Sequence, residues 1–379
     1  MTTTRRTFIR QAAVIAASSG GAASLHATAA TDRGLEQVPS IRHQAMSNSS
    51  NEFQFPQNYG LGGVGPGNGW HTNTSEQINQ TLQAAWDAGV RYYDTSPFYG
   101  YGLSERRFGH FLFEKERSEY LLSTKIGRIF EADPKFEPGS AGLWKGQLNF
   151  KFRYDYTADG VKRSLEDSLQ RLGLSSIDIV FVHDLSPDNG DFGERWTEQF
   201  DIATKGAFPA LTKLREEGVI KAWGLGVNRP QPILKALEVA DPDVMLVAIQ
   251  YTLFEHEDAL TNLFPAMAAK NVKAVIGGPL NGGFAADLDR WNYGPGLPQE
   301  MVDKRNRIKA IADKYNISLS TVALQFAAQH PVVAAVIPGA SRPEQVQENV
   351  QSFHTNVPAG LWKALKEERL IHPDSPVGT

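Results

Sequence analysis

The chain has 379 residues, of which 41% are hydrophobic and 21% charged, so it can fill a sizeable core and is no candidate for wholesale disorder. It contains no cysteine, which excludes disulfides, thiol nucleophiles and cysteine-held zinc or iron–sulfur centres, and any redox chemistry has to come from a bound cofactor. The net charge of −4 comes without a basic stripe, so nucleic acid is not an expected partner.

At the start of the chain, Arg5-Arg6 precede an Ala-, Ser- and Gly-rich apolar stretch over 12–25, and Ala27-Thr28-Ala29 supplies a small-x-small cleavage pattern. This arrangement resembles a bacterial twin-arginine signal. It predicts a signal over 1–29, a flexible tether over 30–54 and the working domain over 55–379. The expected partner is the twin-arginine export machinery and the expected destination the periplasm, with the cytoplasm as the alternative. The stretch falls short of the ~20 apolar residues a membrane span needs, so stable membrane insertion is not expected.

From residue 55 onward, short β-branched or aromatic runs alternate with helical patterns. Strands are predicted over 59–64, 91–95, 120–125, 177–183, 220–227, 244–250, 272–277 and 332–337. Helices fall between them, among them 75–88, 159–172, 208–217, 301–315 and 318–329. Eight alternations without a linker predict a single α/β domain, a (β/α)8 TIM barrel. The run Gly60-Leu61-Gly62-Gly63-Val64-Gly65 also fits a dinucleotide fingerprint, with Asp94 as a ribose-binding acid. That motif needs a helix at its third glycine, whereas Pro66-Gly67-Asn68-Gly69 follows and the first capping residue is Thr74.

Barrel enzymes work at the carboxyl ends of their strands. Asp94 ends the second predicted strand, Tyr99 lies in the loop beyond it, Lys125 ends the third strand and His183 the fourth. Each has an ordinary reading alone: a loop-capping acid, a packing ring, a solvated amine, a core imidazole. Together they fit one mechanism. A phenol, with a pKa of ~10, becomes a useful base only beside a cation, which Lys125 supplies and Asp94 holds. His183 then hydrogen-bonds the substrate oxygen while Tyr99 moves the proton.

The segments Asp94-Thr95-Ser96-Pro97-Phe98-Tyr99-Gly100, Ser123-Thr124-Lys125 and Ile177-Asp178-Ile179-Val180-Phe181-Val182-His183 resemble aldo-keto reductase motifs. The resemblance spans roughly residues 60–349 and implies that Asp94, Tyr99, Lys125 and His183 are the catalytic tetrad of a nicotinamide-dependent oxidoreductase. Four further stretches, 156–161, 164–173, 277–283 and 291–295, resemble the aldose 1-dehydrogenase branch, which oxidises cyclic hemiacetal hydroxyls to lactones.

The same resemblance implies cofactor contacts at Asn228, which lacks the family's neighbouring serine, and at Gln250. Gly277 stands where a stacking aromatic is common, leaving Gly278, Pro279 and Leu280 to line that wall. Gly339, Ala340, Ser341, Arg342, Gln345 and Asn349 resemble the loop and helix start that hold the adenosine phosphates. Gly339 and Gln345 replace cationic residues typical of NADP-preferring members, which favours NAD slightly over NADP, although the planar fork of Arg342 suits a 2′-phosphate.

A general aldehyde or ketone reductase is the nearest alternative. A glycoside hydrolase using Asp94 and Asp184, or a non-catalytic nucleotide- or sugar-binding barrel, makes no use of Tyr99 with Lys125. The run Glu255-His256-Glu257-Asp258 reads as a solvated loop, and no metal is expected. Loops 130–156 and 284–299 are expected to shape the substrate site, and their structure is not legible in the pattern.

Overall fold

A computed structural model describes residues 54–137, 142–294 and 296–378. The expected signal over 1–29, and the expected tether apart from residue 54, lie outside the described residues. In chain order the strands are β1 (Leu61–Gly62), β2 (Tyr92–Asp94), β3 (Leu121–Ile126), β4 (Arg128–Ala132), β5 (Phe150–Tyr154), β6 (Ile179–His183), β7 (Ala222–Val227), β8 (Val244–Ala248), β9 (Lys273–Gly277) and β10 (Val333–Ile337).

Among the described residues, eight of these strands form one parallel sheet in the order β1-β2-β3-β6-β7-β8-β9-β10. Parallel bridges Tyr59↔Val336 and Gly62↔Gly339 join the last strand to the first, so the sheet closes as a (β/α)8 TIM barrel. The closure explains the glycine run that imitates a dinucleotide fingerprint. A Cβ on Gly65 would lie 2.4 Å from the carbonyl oxygen of Ala340, so bare backbone is what lets the two ends of the sheet meet.

Side chains alternate across the barrel wall with the period of 2 that strands impose. Tyr92, Ile179, Phe181, Leu246 and Val275 belong to one buried cluster, and their neighbours Tyr93, Val180, Val182, Val247 and Ile276 belong to another, packed with the helices. Between the strands run α1 (Ser75–Asp87), α2 (Leu103–Leu112), α3 (Ala158–Leu172), α4 (Trp196–Lys205), α5 (Ala207–Glu216), α6 (Pro230–Val239), α7 (Phe264–Ala269), α8 (Gln299–Lys314) and α9 (Leu319–Ala328). After β10 come α10 (Pro343–His354) and α11 (Ala359–Glu367). Thr74 caps α1 by accepting from Gln77 N at 3.1 Å, and Thr157 caps α3 by accepting from Gly160 N at 3.1 Å. Among the described residues no helix is long and apolar enough to cross a membrane.

Two regions differ from the sequence expectation. Loop 130–156 contains most of an antiparallel hairpin, in which β4 pairs with β5 from Arg128↔Tyr154 to Ala132↔Phe150. Its inner face is aromatic, with Phe130 stacked on Phe150 at 5.6 Å between centroids. The second difference is His256, which is buried rather than solvated. Its Nδ1 lies 3.0 Å from the carbonyl oxygen of Thr252 and its Nε2 accepts from the backbone of His372 at 3.0 Å, so the ring ties the C-terminal segment to the barrel. Burial holds its pKa down to about 3, and it stays a neutral structural group.

Candidate active site

β2 and β3 are neighbours in register, and this places Asp94, at the carboxyl end of β2, beside the end of β3. Both Asp94 and Lys125 are 1% exposed, and Lys125 Nζ donates to Asp94 Oδ2 at 2.7 Å. The ammonium also donates to the carbonyl oxygen of Thr95 at 2.8 Å, and Ser123 Oγ donates to the other carboxylate oxygen at 2.7 Å. Burial pushes the Asp94 carboxyl up and the Lys125 ammonium down, and each group's charge opposes the other's shift. A buried charge pair of this kind is held by its additional hydrogen bonds.

Tyr99 enters from the turn after β2, with its own N–H donating to Ser96 O at 3.1 Å and its carbonyl accepting from Ser104 N at 3.1 Å. The Lys125 ammonium sits 4.6 Å from the centroid of the Tyr99 ring. The His183 ring, at the end of β6, lies 5.8 Å from the Tyr99 ring at an interplanar angle of 80°. The four residues singled out in the sequence therefore converge at one barrel rim. Burial raises the Tyr99 pKa well above that of a free phenol, with the Asp94 charge adding to it. Burial, then the cations Arg128 and Lys125, lower His183 well below an ordinary imidazole, so its ring is neutral.

Two cavities meet at this cluster, and Val64, Tyr99, Leu246, Ala248 and Tyr293 line both. The first, about 440 Å³, has aromatic walls from Phe98, Tyr101, Phe136 and Trp144, with polar groups from Lys125, His183, Asp184 and Asn228. The second, about 320 Å³, runs past Gly278, Pro279 and Leu280 to Gly339, Ala340, Ser341, Arg342, Gln345 and Asn349. Its far end is the amino terminus of α10, where Pro343 opens the helix and no side chain caps it. Uncapped backbone N–H groups at a helix start suit phosphate. Arg290 also lines this cavity, and its Nε is buried with no hydrogen-bond partner among the described residues. The donor set of the second cavity fits an anionic dinucleotide.

Two expected cofactor residues stand apart from that cavity. Asn228 lines the first cavity instead, and its Nδ2 donates to Asp188 Oδ2 at 3.0 Å. Gln250 lies beyond the end of β8 and lines neither cavity; its Nε2 donates to Val227 O at 3.1 Å, while its Oε1 is buried and unpartnered among the described residues. Gln345 engages its own loop, its Oε1 accepting from Ser341 N at 2.9 Å, so it shapes the turn that leads into α10. Beside the bare Gly277 and Gly278 stands a ring that sequence reasoning did not place there: a Cβ on Gly278 would lie 3.3 Å from the hydroxyl of Tyr293.

The most heavily engaged residue that the sequence reading passed over is Arg128. It follows Lys125 by three positions at the start of β4, is 5% exposed, and pairs with Asp184 Oδ2 at 2.9 Å. A charged residue placed just after a strand-ending glycine was the available signal.

Comparison with known proteins agrees with this geometry. The model of the aldo/keto reductase family matches residues 58–368. A D-threo-aldose 1-dehydrogenase from Pseudomonas sp. is 38% identical over 320 residues, covering 82% of this chain and 94% of that protein. A pyridoxal 4-dehydrogenase from Microbacterium luteolum is 37% identical over 305 residues, covering 76% of this chain and 87% of that protein. Among solved structures, an aldo-keto reductase from Bacillus halodurans in its holo form superposes with a TM-score of 0.63 at 23% identity, covering 82% of this chain and 91% of that one. One from Klebsiella pneumoniae in complex with NADPH gives a TM-score of 0.59 at 22% identity, covering 82% and 90%. At these identities the structural likeness speaks for the fold.

Proposed function

The chain belongs to the aldo/keto reductase family and is an oxidoreductase, and on that premise we propose that it oxidises the anomeric hydroxyl of an aldose or a similar cyclic hemiacetal to a lactone. The observation that carries this reading is Tyr99 at the junction of the two cavities, with the Lys125–Asp94 pair behind it and His183 across from it.

A nicotinamide bound in the second cavity would take up hydride from the substrate carbon, or return it in the reverse direction. The protein's own groups manage the proton and the geometry. Neutral His183 donates a hydrogen bond to the reacting oxygen and orients it. Tyr99 removes the hydroxyl proton in oxidation and supplies it in reduction, and the Lys125 ammonium favours the phenolate over the phenol. Asp94, fixed by Ser123, keeps the ammonium aimed at the ring. Asp94, Lys125 and His183 are themselves buried, so these electrostatic effects are screened less than they would be in open water.

The nucleotide is NAD in the first instance, with NADP use resting on Arg342. Arg5-Arg6 and Ala27-Thr28-Ala29 support export to the periplasm by the twin-arginine route. Two observations favour a second reading, oxidation of a flat aromatic substrate: the first cavity is walled by Phe98, Tyr101, Phe136 and Trp144, and a relative at 37% identity is named pyridoxal 4-dehydrogenase. The test is to mix the purified protein with NAD⁺ or NADP⁺ and a panel of aldoses, pyridoxal and simple aldehydes, and to follow nicotinamide absorbance. Turnover of aldoses supports the main reading, pyridoxal alone the second, and neither overturns both.

A further inference from the structure

The mechanism above requires His183 to present an N–H to the substrate, and an imidazole can carry its proton on either nitrogen. The surroundings of Nδ1 decide which. Arg128 Nη1 lies 3.3 Å from His183 Nδ1. A guanidinium has donors only, so Nδ1 has to accept. Ser96 Oγ lies 3.1 Å from the same nitrogen and accepts from Phe98 N at 3.1 Å, but a hydroxyl can either donate or accept, so it follows the tautomer that Arg128 sets. With Nδ1 bare, the proton resides on Nε2. That nitrogen is 3.5 Å from Asp184 Oδ1, too far for a strong hydrogen bond, so its N–H remains available to a substrate oxygen.

We propose that Arg128 is a positioning residue that locks His183 in the Nε2–H tautomer, with Asp184 as the anchor that holds the guanidinium in place. The proposal rests on the reading of His183 as the donor to the substrate oxygen. Arg128 is built for the task. Its Nη2 pairs with Asp184 Oδ2 at 2.9 Å and donates to Tyr154 Oη at 3.0 Å, while its Nη1 reaches the histidine. Its guanidinium carbon sits 4.0 Å from the Phe98 ring centroid and 4.8 Å from that of Tyr154, so stacking restrains it. A lysine offers a point charge without the fork that engages both sides at once.

The groups facing the imidazole are Arg128 from β4, Lys125 from β3, Tyr99 from the turn after β2 and Asp184 beside it, with Tyr156 Oη donating to the His183 carbonyl oxygen at 2.8 Å. Burial first, and then the two cations, keep the ring neutral. Removing Arg128 removes one of them together with the obligate donor to Nδ1.

The experiment is long-range proton–nitrogen NMR on protein carrying ¹⁵N-labelled histidine, with the His183 signal assigned by its loss in His183→Gln. The wild-type protein is expected to show a bare Nδ1 and a protonated Nε2 that do not change across the assay pH range. In Arg128→Met the tautomers should mix and the ring should titrate nearer to its ordinary value of about 6.5. Turnover should fall roughly ten- to a hundredfold, the usual cost of removing an outer partner that orients a working histidine, with a smaller change in KM. Ser96→Ala should keep the wild-type tautomer. If Arg128→Met does not fold, Arg128→Gln carries the same comparison, because its amide can accept as well as donate, and a mixture of tautomers is expected there as well. A proton on Nδ1 in the wild-type protein, or an unchanged tautomer after loss of the guanidinium, overturns the proposal. The NMR needs no substrate, so its answer stands even if no alcohol in the panel is oxidised, an outcome that counts only against the functional reading.

Discussion

Burial keeps Tyr99 a phenol in the free protein, and that fixes how activity responds to pH. With its pKa well above 10, the phenolate fraction rises about tenfold per pH unit between 6 and 9. Oxidation needs the proton acceptor, so its kcat/KM is expected to climb with pH, whereas reduction needs the phenol and stays level. Because His183 is held well below the ordinary imidazole range, no inflection should appear near 6.5. A pH–rate profile flat in the oxidative direction contradicts this assignment. Tyr99→Phe deletes the proton carrier and preserves the ring, so turnover should drop about 10²–10⁴-fold while nucleotide still quenches protein fluorescence. Lys125→Met removes the cation 4.6 Å from that ring and should be comparably inactive, with partial recovery at high pH. The convergence of the four proposed catalytic residues was legible in the sequence because they are chemically distinctive groups at or just beyond successive strand ends. Arg128 and Tyr293 were not: one acts through a neighbour's tautomer, the other arrives from a loop whose path no periodicity records.

At the scale of elements, the turn from β3 into β4 carries the most information per residue. Gly127 has φ +116°, and a Cβ there would lie 2.4 Å from Cε1 of Tyr156, whose hydroxyl supports the His183 carbonyl. Gly127→Ala therefore meets both a forbidden backbone and a buried ring, and should cost more than about 1 kcal/mol of stability. Thermal unfolding checks the stability. Because β4 begins at Arg128, activity should fall further than the melting temperature alone explains, and a variant with wild-type melting and turnover contradicts the role given to this bend. The β4–β5 hairpin escaped the sequence reading because β4 follows β3 after one glycine and carries Arg128 and Glu131, so it shows no apolar run of its own. The start of α10 was easier to recognise, since Gly339-Ala340-Ser341-Arg342 joins a strand end to a helix opened by Pro343. Arg342 is exposed at that start, and its fork suits a 2′-phosphate. Arg342→Ala should raise KM for NADP⁺ and leave that for NAD⁺ nearly unchanged; equal weakening of both removes the arginine from the argument.

The barrel as a whole was readable because most of its strands are buried on both faces and read as largely apolar runs, and because eight such alternations admit few closed arrangements. What the pattern could not supply was the seam, where β1 is only Leu61–Gly62 and closure depends on glycines that accept a neighbouring backbone at close range. The proposed site residues all fall within 94–349, far along the chain from Arg5-Arg6, and this separates address from chemistry. The twin-arginine reading predicts that replacing Arg5 and Arg6 by lysine leaves the protein in the cytoplasm, still carrying residues 1–29, because the export machinery reads the paired guanidinium groups rather than charge alone. The purified variant should oxidise the same substrate with unchanged kcat and KM, since no residue of either cavity has been altered. Cell fractionation with mass spectrometry of the amino terminus reads both location and cleavage. An unaltered protein that is found in the cytoplasm and remains uncleaved after Ala29 removes the export reading and leaves the chemistry of the barrel where it stands.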